Sequence, residues 1–442
     1  MNRKEELQTT VTFEQTWEAY MKRKNKEGTL RSKRANRWVI GVAASGLILA
    51  GASIALQGSS ALAAILEKIP FLSSYYEQQG IIHDRGWEEV DKLGLASTLN
   101  ASEEDQGITL TMTDVFYDGV RLAIGYDLAL QEGVQFEEAG GQIPLMVESS
   151  FKGIDIDFIM TDGSNEKIED RLYRGAITIN TSSLPNAFTL GLKVTNIGGQ
   201  EGLWKFSLPV QKSVAPTEFH PNATATYQDF DIKISKVLVS PVSTEVLVEA
   251  TGPKGTWDQL NFSVKDDWGT GLEFAGGGGE NFIEDAGSGK ETLTHRLIFG
   301  PLGPVNTRPE YLILQPRLYT VFHPEDLVQT EVVKEMDGVF PMEFGGGKLT
   351  ILGIDFMENK TLVRYEVGSL ENQYPLLFIQ DEAGTDYTQS KWPQRMKKEP
   401  YEFQAEYPRL DASMDLKVRV ILEEYKNQAA PAGEIVVPLQ WE

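Results

Sequence analysis

The sequence predicts a mainly β chain in which a single N-terminal transmembrane helix precedes tandem β-sandwich domains. Three observations lead there. Residues 38–66 contain no Asp, Glu, Lys, Arg or His, and a spanning helix needs roughly 20 mostly apolar residues. From Gly107 onward, apolar residues alternate with period two, the signal of a half-buried strand. That alternation then recurs three times with the same interruption, which marks an internal repeat.

The 37 residues before the span form a basic tail, with ten Lys or Arg against five Asp or Glu. Thr12-Phe13-Glu14-Gln15 fits a capping box, with a side-chain oxygen at the N-cap and Gln three residues on. Phe13, Trp17, Tyr20 and Met21 follow at spacings of four and three, on one face of a helix. Lys22, Arg23, Lys24 and Lys26 place positive charge where the helix dipole favours it, and Gly28 ends the element. So short a segment cannot bury an aromatic face within itself. The face predicts a cytoplasmic partner, with contact to the lipid surface, or an exposed face without a role, as the alternatives.

The span itself is assigned to residues 38–58. Arg31, Lys33, Arg34 and Arg37 flank it on the N-terminal side, so the N-terminus is expected in the cytoplasm and the C-terminus outside. Ala61-Leu62-Ala63 resembles a signal-peptidase site. Against cleavage, the leader is long for an n-region and the apolar run exceeds an h-region of 7–15 residues. As one helix, residues 38–66 would measure about 44 Å, more than a hydrocarbon core of about 30 Å. The surplus ends near Pro70, in the apolar stretch Ile69-Pro70-Phe71-Leu72. Residues 59–106 therefore read as a membrane-proximal joint with a short helix at 87–95. Residues 100–106, polar and acidic, read as a linker.

Three rows of apolar residues define the repeat. Leu110, Met112, Val115 and Tyr117 form the first; Ile232, Ile234, Val237 and Val239 the second; Leu349, Ile351, Ile354 and Phe356 the third. In each, the alternation slips by one residue between the second and third members, which requires a bulge or a change of face. Turns follow at Asp118-Gly119, Ser240-Pro241 and Glu358-Asn359-Lys360, then returning strands at 122–126, 246–248 and 362–367. Each unit next holds an apolar strand running into an acidic glycine turn: 158–163, 262–269 and 378–384. Closing strands are expected at 203–210, 311–315 and 434–441. The predicted units are 107–214, 215–338 and 339–442, immunoglobulin-like in architecture, though without a Cys…Trp…Cys pattern.

Charge and composition narrow the function. The chain has 442 residues, no cysteine and a net charge of −23. The basic tail leaves −28 for the remainder, which argues against nucleic acid. The lack of cysteine fits a bacterial cell envelope better than an animal secretory route. His83, His220, His295 and His323 are scattered, with no spacing that pairs two metal ligands. Asp155 and Asp157, with Asp162, Glu166 and Asp170 beyond, could supply oxygen ligands for Ca²⁺; a solvated face is the simpler reading. Gly269-Thr270-Gly271 and residues 276–279 lack the following helix of a phosphate cradle and read as flexible loops. No nucleophile motif appears. We therefore expect no enzyme, no cofactor and no metal site.

The basic tail, the single span, Ile69-Pro70-Phe71-Leu72, Gly107-Ile108-Thr109-Leu110-Thr111, Val115-Phe116-Tyr117-Asp118-Gly119 and Leu122 together resemble a family of bacterial, mostly Gram-positive, membrane proteins with extracytoplasmic domains of unknown function. The resemblance covers residues 38–130 best, and the later units are similar to the family's C-terminal β-domain. Its members are often encoded beside extracytoplasmic-function sigma factors. This implies an anti-sigma-factor-like regulator in the cell membrane, with Phe13, Trp17, Tyr20 and Met21 as the partner-binding residues. It also implies an extracytoplasmic ligand of unknown identity. The tail departs from the commonest anti-sigma domain in lacking its His/Cys zinc motif. The alternative expectation is a cell-surface structural or adhesive protein whose tail only directs insertion.

Overall fold

Period-two sequence becomes strand almost throughout the computed structural model, which describes residues 85–441 apart from residue 140 and segments 152–159, 181–183, 257–259, 278–281, 319–326, 336–339, 345–346 and 426–432. The chain divides into two units, Met1–Ala63 and Ala64–Glu442; every described residue lies in the second. The predicted span and the tail residues Phe13, Trp17, Tyr20 and Met21 lie outside the described residues. Among the described residues, no helix is long and apolar enough to cross a membrane.

The first element is a helix, α1 (Arg85–Lys92), with Glu88 in its first turn and Lys92 in its last, as the helix dipole favours. Its buried face carries Gly86, Trp87 and Val90.

The first sandwich follows: β1 (Ser97–Asp105), β2 (Ile108–Tyr117), β3 (Leu122–Leu130), β4 (Leu145–Phe151), β5 (Met160–Glu169), β6 (Leu172–Asn180), β7 (Ala187–Ile197) and β8 (Gln200–Gln211). One sheet runs β1-β2-β3-β6-β5 and the other β4-β7-β8. Their inner faces share one core that includes Leu110, Met112, Tyr126, Tyr173, Leu192 and Trp204. The Trp204 indole N–H donates to the Ile108 carbonyl at 2.9 Å, so the largest core side chain leaves no polar atom unpaired.

The second sandwich begins with β9 (Thr217–Phe219), β10 (Ala223–Tyr227), β11 (Phe230–Val239), β12 (Thr244–Pro253), β13 (Leu260–Asp266), β14 (Phe274–Gly277), β15 (Phe282–Gly287), β16 (Lys290–Phe299) and β17 (Tyr311–Leu318). The third contains β18 (Leu327–Glu335), β19 (Phe340–Phe344), β20 (Gly347–Phe356), β21 (Lys360–Val367), β22 (Leu376–Gln380), β23 (Asp386–Tyr387), β24 (Gln394–Arg395), β25 (Glu402–Pro408) and β26 (Lys417–Tyr425). Its sheets run β19-β20-β21-β25-β24 and β18-β26-β22-β23.

The predicted slip is a β-bulge at the same place in each unit. Register jumps between Met112 and Asp114 in β2, between Ile234 and Lys236 in β11, and between Ile351 and Gly353 in β20. Thr113, Ser235 and Leu352 are the extra residues. Each bulge sits mid-strand; past it, Val115 and Tyr117 of β2 and Val237 and Val239 of β11 are buried, whereas in β20 Ile354 is only partly buried and Phe356, expected to complete the third row, is exposed.

Four expectations need correction. Residues 100–106 are not a linker: they belong to the edge strand β1 and its turn, and β1 pairs with β2 from Ser97↔Val115 to Asp105↔Ile108. Asp162-Gly163 is no turn but lies inside β5, paired to β6. Residues 327–335, assigned to the second unit, form β18 and pair with β26 of the third. The last strand, expected to close the third unit, is β27 (Ile435–Pro438), and it pairs with β17 of the second. Ile435, Val437 and Leu439 enter the core of the second sandwich, beside Phe219, Leu312 and Leu314. The third sandwich is thus an insertion between two paired strands of the second, whose sheets are β10-β11-β12-β16-β14, with β9 on β11 and β15 on β16, and β13-β17-β27.

Candidate functional site: the junction of the three sandwiches on one helix

The functional candidate is the place where all three sandwiches meet α1. Trp87 and Val90 of α1 pack with Phe116 and Ala123 of the first sandwich and Val242 of the second. Trp87 meets Phe116 edge to face at 5.9 Å, and the Arg121 guanidinium lies 5.5 Å from the Trp87 ring centre. Arg85 donates to the carbonyls of Pro301 and Leu302, at 2.5 and 2.6 Å. Glu88 reaches the third sandwich by an ion pair with Lys391, and Lys391 also pairs with Glu406 at 2.8 Å. Burial pulls the Lys391 ammonium down, but its hydrogen bonds to Glu406 and Glu88 outweigh it and hold the pKa above the ordinary value. Glu406 takes a further 2.7 Å contact from Lys360.

The first two hairpin turns meet over a buried carboxylate. Asp118, fully buried, accepts from the amides of Val120 and Arg121 on one oxygen, both at 2.7 Å. Its other oxygen accepts from the hydroxyls of Ser240 and Ser243, at 2.6 and 2.7 Å. The first pair shapes its own turn and the second ties that turn to the next sandwich. Beside it, Arg296 pairs with Glu245 at 2.6 Å, both buried, and donates to the Val120 carbonyl. Arg121 donates to the Phe299 carbonyl at 3.1 Å. Val120 packs with Leu238 and Ile298.

The second and third sandwiches meet at the glycine loop after β13. Gly269-Thr270-Gly271, expected to be a flexible loop, is clamped. Gly271 N–H donates to Gln373 Oε1 at 3.0 Å, Gln373 Nε2 donates to the Gly269 carbonyl at 3.1 Å, and Tyr374 donates to the Gly271 carbonyl at 2.8 Å. Gly269 has φ +81, which side chains with a Cβ rarely adopt. Arg395 binds the Trp268 carbonyl and the Thr270 hydroxyl, each at 2.8 Å.

Between α1, the second hairpin turn, the β16–β17 loop, the C-terminal Trp441 and Gln394 of the third sandwich lies a cavity of about 570 Å³. Arg85, Glu89, Lys92 and Arg308 supply its charges. Val214, Ala215, Val239, Pro241, Pro301, Leu302, Pro304 and Trp441 supply its apolar wall.

Of the other residues singled out in sequence, Asp155, Asp157, His83 and His323 lie outside the described residues. Glu166 is buried in β5, and Asp170 pairs with Lys167 at 3.2 Å in an exposed turn. His220 sits exposed beside Glu218. His295 faces the Phe262 ring, and burial pushes its pKa down. Among the described residues, no group of three His, Asp or Glu could hold a metal ion. Sequence reasoning missed the junction because Asp118, Ser240 and Ser243 look like ordinary turn formers. The available signal was Val120 and Val242, apolar residues at turn tips.

Two family models match the chain. Residues 32–129 match a domain of unknown function (DUF4179), and residues 217–351 match a family of unknown function (DUF5643). The first match covers most of the stretch on which the sequence resemblance rests. The comparison with curated proteins gives no match. Among solved structures, the chain is similar to a conserved domain protein from Bacillus anthracis, with 22% identity, 54% of this chain and 81% of that chain covered, and a TM-score of 0.41. Salmonella alpha-2-macroglobulin reacted with methylamine aligns at 12% identity over 78% of this chain and 22% of its own, with a TM-score of 0.16.

Proposed function

We propose that the protein is a single-pass membrane regulator with immunoglobulin-like sandwiches outside the cell and a sigma factor held by its cytoplasmic tail. Residues 38–58 cross the membrane in this reading, and Phe13, Trp17, Tyr20 and Met21 form the partner-binding face. The observation that supports it most is α1. This helix follows the predicted span in sequence and lies within the predicted joint, and it is bound to all three sandwiches at once. A change in how any sandwich packs would therefore bear on the segment nearest the anchor. The family match at 32–129 runs without a break from the basic flank through the predicted span to the first hairpin, which supports treating them as one working unit.

Photocrosslinking in the bacterium that carries the protein tests the reading. A crosslinker at Trp17 of the full-length protein should capture a sigma factor, and Phe13→Ala with Tyr20→Ala should abolish capture. Recovery of lipid alone, or of no sigma factor, would contradict it.

A further inference from the structure

The cavity at the α1 junction has the chemistry of a binding site for an organic anion. Its volume of about 570 Å³ falls within the range of roughly 300–1,000 Å³ typical of small-molecule pockets. Three cationic side chains, Arg85, Lys92 and Arg308, line it with one carboxylate, Glu89. Lys92 is paired with Glu89 and Glu88, so the excess positive charge of the cavity rests on Arg85 and Arg308, on a chain whose net charge is −23; an excess of one sign in a concave site attracts ligands of the other.

The cations approach from two sides. Arg85 and Lys92 stand seven residues apart on α1, about two turns, and so share a face. Arg85 is fixed by its bonds to two loop carbonyls. Lys92 is held by Glu89 at 2.9 Å. Arg308 comes from the β16–β17 loop, its guanidinium 5.7 Å from the Trp441 ring centre. Trp441 is itself anchored, donating to the Pro309 carbonyl at 2.7 Å and meeting Phe219 edge to face at 4.8 Å. A guanidinium beside an anchored indole offers a carboxylate or phosphate a fork of donors next to a flat apolar surface. Pro301, Pro304 and Leu302 extend that surface.

We propose that this cavity binds a small organic anion with an apolar or aromatic body: the carboxylate or phosphate meets Arg308, and the body rests on Trp441 and the prolines. The site stands on its own geometry and does not depend on the sigma-factor reading.

Full-length protein in lipid nanodiscs, titrated calorimetrically with 2-naphthoate, 1-naphthyl phosphate and the neutral 2-naphthamide against empty nanodiscs, tests it. At least one of the two anions should bind saturably and about tenfold tighter than the amide, the size of one charge-assisted hydrogen bond. Arg308→Gln and Arg308→Glu should each weaken that binding about tenfold or more. Lys205→Glu, the same charge change as Arg308→Glu on an exposed position of β8, should leave it within about twofold. Arg308 is exposed, so its variants should keep the wild-type melting temperature. Absence of saturable binding by either anion, equal binding of the amide, or full binding by both Arg308 variants would overturn the proposal.

Discussion

Asp114 and Glu166 are the residues whose protonation should show in stability. Asp114 follows the bulge of β2, and one of its oxygens is buried without a partner. Burial pushes its carboxyl up to about 7, against the pull of Thr113 and Arg174. Glu166 lies across from Arg174 on the neighbouring strand, also has a buried unpartnered oxygen, and is pushed by burial to about 7 despite Arg174. In the unfolded chain both titrate near their ordinary values of 3.8 and 4.5. Between those values and about 7 the folded protein holds protons that the unfolded chain has released, so stability falls as pH rises through this window. Asp114→Asn and Glu166→Gln should each raise stability by about 1–3 kcal/mol at about pH 8 and change it little at about pH 4. Thermal unfolding of both variants across that range checks this; an equal effect at both pH values would show that ionisation is not the cause. Neither group stands out in sequence, because an acidic residue on an alternating strand is normally solvated. Here Asp127, Arg174 and Glu166 lie on adjacent strands and are all buried.

At the scale of elements, local pattern was readable and strand partnership was not. The three bulges were predictable because a slip in period two changes which face is apolar, and each row carries its own slip. The turns after β2, β11 and β20 were readable for the same local reason. β27 shows the limit. Its alternation, Ile435 and Val437 inward with Val436 outward, specifies a strand but not the sheet it joins, and β17 lies over a hundred residues away. β1 was misread because it is an edge strand with mostly exposed polar residues, whose composition matches a linker. The topology makes a specific prediction. Deleting residues 434–442 removes Ile435, Val437 and Leu439 from the second core, each worth about 1.5–3 kcal/mol when fully buried. Hydrogen exchange should then accelerate in β13 and β17, while β20, β21 and β25 of the third sandwich keep their protection. Loss of protection first in the third sandwich would contradict the insertion topology.

Across the whole molecule, α1 is the shared part. It touches the first sandwich through Trp87, the second through Arg85, and the third through Glu88. The sequence marks it only as a short helix within the membrane-proximal joint. Its partners are invisible there because Phe116, Val242, Pro301 and Lys391 come together only on folding. In the proposed function this helix carries the state of the sandwiches to the segment that precedes it. The direct measurement is photocrosslinking from Trp17 in full-length protein, compared between wild type and Trp87→Ala. That substitution removes the indole that meets Phe116 edge to face from the cluster it shares with Val90, Ala123 and Val242, at a cost of about 3–5 kcal/mol, and leaves the tail sequence unchanged. A sigma factor captured in both, with a yield that shifts severalfold in Trp87→Ala at equal membrane abundance, is the expected result; an unchanged yield, or no sigma factor in either protein, would contradict it.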